Sequence, residues 1–169
     1  MKKFLTAAFI FLSPLFVFAQ DITGLWQGTM HNDSTGTSLP YELLIKKEKN
    51  KYTGYSYTWF SVNGEQCYGV KKVKVTIAKD GKVVIKDDEL LENTYPDGPD
   101  KNIKQLNVLD LTSTTSGSSM DGPFVTNNTK RYFEVVGSIS LKRVTTLTES
   151  SLMNYFERKD AQSGVASSK

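Results

Sequence analysis

From Gly24 to Arg143 the apolar residues recur at every second position, in short runs broken by Gly, Asn, Asp and Pro. That period belongs to strands that bury one face, because successive side chains of a strand point to opposite sides. Tyr41, Leu43 and Ile45 alternate with Glu42 and Lys46. Val73, Val75 and Ile77 alternate with Lys72, Lys74 and Thr76, and Phe133, Val135, Ile139 and Leu141 with Glu134, Ser138, Ser140 and Lys142. The pattern predicts eight strands over 24–31, 40–48, 51–60, 65–78, 82–91, 103–112, 118–125 and 132–143.

Strands joined by short links pair as neighbouring hairpins, and eight of them can close and remove the edges that invite aggregation. The expected fold is therefore all-β, an eight-stranded antiparallel up-and-down barrel. A two-sheet sandwich would need long crossovers that this order of hairpins lacks. An outer-membrane barrel would turn Lys72, Lys74 and Lys142 toward hydrocarbon. If strands alternate in direction, the connections 32–39, 61–64, 92–102 and 126–131 share one end and 49–50, 79–81 and 113–117 the other. The first set is longer and richer in Asn, Asp and Pro, so the barrel should have an elaborated mouth and a tidier base.

The chain starts with Lys2 and Lys3, an apolar stretch from Phe4 to Phe18 and a small-x-small site at Val17-Phe18-Ala19. These are the parts of a secretory signal peptide, expected over 1–19, with export to the periplasm or the extracellular space. No later segment resembles a membrane span. The barrel is expected over 20–145, a C-terminal amphipathic helix over 146–159 from the spacing of Leu147, Leu152, Tyr155 and Phe156, and a disordered tail over 160–169.

The 169 residues include 21 basic and 18 acidic ones, and two of the basic ones leave with the leader. A near-balanced charge argues against nucleic acid or an anionic membrane as partner. A single cysteine, Cys67, excludes an internal disulfide, so burial and hydrogen bonding must hold the fold.

Catalytic signals are few. His31 is the only histidine, and its parity with Leu25, Gln27 and Thr29 turns it outward, away from any pairing with Cys67. Asp97, Asp100 and Asn102 lack the spacing of a calcium loop and suit turn backbone. Asp87, Asp88 and Glu89 read as a solvated face. With no phosphate loop, Cys-x-x-Cys motif or carboxylate pair, the expectation is a protein that is not an enzyme and needs no cofactor or metal.

Gly24-Leu25-Trp26 at the head of the first strand resembles the Gly-x-Trp signature of the lipocalins and their calycin relatives. In that family a tryptophan at the closed end packs on a basic residue of the last strand, and Arg143 holds the matching position. The resemblance implies a barrel-base pair of Trp26 and Arg143 and a helix on the outer wall after the last strand. Avidin-like barrels share the topology and a similar start, so both families stay open. The disulfide common among lipocalins has no counterpart here.

Aromatic residues gather toward the expected mouth. Tyr55, Tyr57 and Trp59 share one face of the third strand, and Met30, Tyr41, Tyr68 and Phe124 can point inward at the same end. Together they are the candidate lining for a small apolar or aromatic ligand. Two functions are consistent with this pattern: a secreted, non-catalytic binding protein with its ligand in the mouth, or an interaction module with a filled barrel that meets a protein or glycan through its loops or helix.

Overall fold

The structure, a computed structural model, describes residues 21–95, 102–130, 132–145 and 149–166. The expected leader lies outside these residues, as do Asp97 and Asp100. Eight strands succeed one another: β1 (Gly24–Asn32), β2 (Thr37–Glu48), β3 (Lys51–Val62), β4 (Glu65–Ile77), β5 (Val83–Asn93), β6 (Gln105–Thr114), β7 (Gly117–Thr126) and β8 (Val136–Arg143). Each pairs antiparallel with its neighbour, and β8 returns to β1, closing the barrel. A helix, α1 (Ser151–Ala166), ends the described chain.

Most strand ends fall within three residues of the sequence reading, and larger differences arise at β8 and at the helix. Residues 132–135 are not strand, because β8 meets β7 only from Val136, opposite Val125. The helix continues through 160–166, the stretch expected to be disordered. Once its first turns are docked, each further residue adds a hydrogen bond at little nucleation cost, which carries the helix onward.

The lower barrel is packed solid. Leu43, Ile45, Val73, Val75, Val83, Ile85, Leu109, Met120, Ile139 and Leu141 interdigitate there around Trp26. The walls curl tightly: a Cβ on Gly28 would lie 1.9 Å from the Ser140 carbonyl oxygen, so only glycine lets β1 approach β8 there.

Trp26 closes the base. It is fully buried, its indole N–H donates to the Ile22 carbonyl at 3.0 Å, and the Arg143 guanidinium sits 5.8 Å from the ring centroid. Trp26 and Arg143 are register partners across the β1–β8 seam. Arg143 also donates to the Asp21 and Thr23 carbonyls, tying the chain leading into β1 to the end of β8.

Candidate functional site

Above the apolar layers the lumen becomes polar. Lys71 of β4 and Asp87 of β5 both point inward, and the ammonium donates to Asp87 Oδ2 at 2.5 Å. The same oxygen accepts the backbone N–H of Gln105 at 2.9 Å. The Gln105 amide donates to Asn107 Oδ1, and Asn107 donates to the Tyr41 hydroxyl at 3.4 Å. Burial first, and then the charge of Asp87, push the Tyr41 phenol well above its usual range, so it stays a neutral hydrogen-bonding group.

Over this layer lies a cavity of about 190 Å³ lined by Tyr41, Lys71, Asp87, Leu90, Tyr95 and Gln105, with Ile103 and Asn93 among its other walls. Tyr95 closes it from above. Its ring packs at a tilt on Phe60, the centroids 4.7 Å apart, and its hydroxyl lies over Gly69. Burial raises the Tyr95 phenol to about 12.

Irregular backbone sets this lining. The β4–β5 register slips twice, between Lys72 and Val73 and between Val70 and Lys71. Each slip inserts a residue into β5 and re-aims the side chains beyond it. Simple alternation from Asp87 would turn Glu89 inward; instead Glu89 stands opposite outward-facing Lys72, and Leu90 stands opposite inward-facing Lys71. The lumen therefore holds Asp87, and Asp88 pairs outside with Lys74 at 2.5 Å. The solvated reading thus holds for Asp88 and fails for Asp87, which is 7% exposed.

The β5–β6 ladder covers only Val83–Lys86 against Leu106–Leu109. Above it side chains bridge the strands: Asp87 takes the Gln105 N–H, and the Lys104 ammonium donates to the Asp88 carbonyl. Asp87 is thus both a cavity wall and a stitch in the barrel.

Of the seven aromatic and methionine residues expected to line the mouth, Tyr41 borders the cavity. Phe124 and Met30 face inward but belong to the packed core. Tyr55, Tyr57, Trp59 and Tyr68 face the other way. They form a second apolar cluster on the outer wall with Val70 and with Leu152, Tyr155 and Phe156 of α1. Both faces of β3 can be buried because α1 covers one of them, and the smaller residues Gly54, Ser56 and Thr58 take the lumen side.

Glu42 places the helix. Gln27, Glu42, Tyr57, Val70 and Glu92 are successive register partners and form one outward row across β1 to β5. At one end Glu42, only 3% exposed, accepts from the Ser151 and Leu152 N–H groups, the Ser150 hydroxyl and the Gln27 amide, at 2.7 to 3.1 Å. Ser150 itself caps Met153 at 3.1 Å. A carboxylate from β2 so satisfies N-terminal donors that a helix leaves unpaired, where the macrodipole also favours negative charge. At the far end Glu92 accepts from Lys159 at 2.7 Å and from the Tyr68 hydroxyl at 2.5 Å. Three strand spacings are about 14 Å and the eight residue steps from Ser151 to Lys159 about 12 Å, so the helix fits across the strands rather than along them.

That far latch is pH-sensitive. Lys159 first, and Tyr68 second, hold the Glu92 carboxyl below its usual 4.5, while the bond to Glu92 raises the Tyr68 phenol to about 12. The Glu92 contribution is present above its ordinary pKa and is lost as acid protonates it. The Tyr68 contribution is present below 10 and is lost on the way to about 12. Trp59 fluorescence should therefore change at both extremes, and Glu92→Gln should flatten both limbs; an identical profile in the variant would contradict the assignment.

A shallower groove outside, lined by Tyr57, Gln66, Tyr68, Asn154, Glu157 and Arg158, runs between α1 and the wall. Among the described residues no cluster of His, Cys, Asp or Glu could hold a metal ion, and no helix is long and apolar enough to cross a membrane. His31 faces outward and contacts Ser38 at 3.0 Å. No protein-family model matches the chain, and neither does any curated protein or solved structure.

Proposed function

We propose that this chain is an exported, lipocalin-like binding protein that holds a small, flat molecule in its barrel mouth by desolvation and hydrogen bonding, without covalent chemistry. The observation that carries the reading is the cavity of about 190 Å³ seated on a closed, packed core and lined at its floor by a connected polar network. Packing alone would fill that level with apolar side chains, because a buried ion pair is commonly no more stabilising than its apolar replacement. The volume is below the roughly 300–1,000 Å³ of sites for drug-sized ligands, so the occupant is small. Leu90, Ile103 and the Tyr95 ring offer it apolar walls. The lipocalin likeness draws on Gly24-Leu25-Trp26 and on Arg143 over the indole.

Native mass spectrometry of protein purified from its own host tests this. Reproducible extra mass is expected, lost when Leu90→Trp fills the cavity and kept in Trp59→Ala on the outer wall. Loss in Trp59→Ala alone would move the site to the helix groove.

The second reading, an interaction module, draws on the rim beside β8, where Phe133 is 92% exposed and Tyr132 and Val136 are also exposed apolar groups. Bare protein in the same experiment would favour it.

A further inference from the structure

The lumen ion pair sets the charge of what the cavity accepts. Lys71 and Asp87 neutralise one another at 2.5 Å, so the site as a whole carries no net charge to offer a ligand. The two poles are unequally presented: the Lys71 side chain is 26% exposed and that of Asp87 only 6%. Asp87 cannot swing out to meet a cation without breaking the Gln105 N–H bond that bridges β5 and β6 above their short ladder. Lys71 has three N–H donors and spends one on Asp87. The cavity thus meets a fixed dipole whose ammonium end points inward, with Tyr41, Gln105 and Asn93 as further uncharged polar groups.

Resting on the proposed lumen site, we infer that the cavity selects small uncharged ligands bearing a hydrogen-bond acceptor, such as a carbonyl or carboxamide on a flat ring, and rejects organic anions and cations of the same shape. A neutral oxygen gains the ammonium donors and brings no charge of its own into a poorly screened site. A carboxylate gains them too, but it lies close to Asp87 with little water between. A cation meets the ammonium first, and its attractive partner is already bonded twice. Discrimination arises from like charges held in place against the wrong ligands, more than from extra contacts to the right one.

Three ligands of one shape test this: benzamide, benzoate and benzamidine, each titrated into the full chain at neutral pH and followed by NMR at Tyr41, Lys71 and Gln105. Benzamide should bind at least tenfold more tightly than the other two. Asp87→Asn keeps the shape and removes the negative charge, and it should make benzoate the preferred ligand. Lys71→Met should instead favour benzamidine, which keeps a charge test available if Asp87→Asn does not fold; where neither folds, the order on the wild-type chain decides. Benzoate or benzamidine matching benzamide on the wild type, or a preference unmoved by either folded variant, overturns the charge rule. Absence of any lumen response to all three ligands overturns the binding reading itself.

Discussion

Glu42→Ala should lower the urea midpoint of unfolding by roughly 1–2 M, equivalent to about 3 kcal/mol. The carboxylate is buried and accepts four hydrogen bonds, two of them from the first N–H groups of α1. Losing an ordinary helix cap costs about 0.5–2 kcal/mol, and hydrogen bonds to a buried charge are worth more. The variant leaves the Ser151 and Leu152 N–H groups of α1 without their acceptor, while the Gln27 amide keeps only the Glu149 carbonyl. Because those donors anchor the helix on its row of outward residues, Leu152, Tyr155 and Phe156 should also lose their seat on the Tyr57 cluster. Trp59 emission should shift to the red, while Trp26, sealed in the base, should not contribute. Glu42→Gln, which keeps one acceptor oxygen, should fall between. A midpoint within roughly 0.3 M of wild type would show that α1 is held by its apolar face alone.

Trp26→Ala should cost about 4 kcal/mol, lowering Tm by roughly 8–16 °C. The indole is the largest fully buried side chain among the described residues, and its removal opens the base and strands the Ile22 carbonyl. Arg143→Met should cost only about 1 kcal/mol, since a partly exposed guanidinium over a ring is worth about that much. Differential scanning calorimetry of both variants separates the two contributions. Equal losses would mean that the base is held by Arg143 and its bonds to the Asp21 and Thr23 carbonyls rather than by burial of the ring.

The candidate site was only partly legible. Its polar members stood in the inward register all along: Lys71 shares parity with Val73 and Val75, Asp87 with Val83 and Ile85, Gln105 and Asn107 with Leu109. A polar residue in step with a strand's apolar face is the signal that would have marked them. Glu89 shows why parity alone falls short, because the slips in the β4–β5 register send it outward and bring Leu90 in. Such slips leave no trace in a two-residue period.

The sequence by itself determined the number of strands, their sequential antiparallel pairing and the unequal ends, because alternation, turn residues and closure are local or stem from strand order, whereas the meeting of Trp26 with Arg143 was expected from the family resemblance. Only the tertiary structure decided which face of β3 looks into the lumen and where β5 slips against β4. Tyr55, Tyr57, Trp59 and Tyr68 were apolar enough for the core, and alternation places residues on two faces without saying what covers each. A helix nearly a hundred residues downstream of β3, tied to β2 through Glu42, made the outer face a second core. The tighter lumen was left to small residues and to one internally neutralised ion pair.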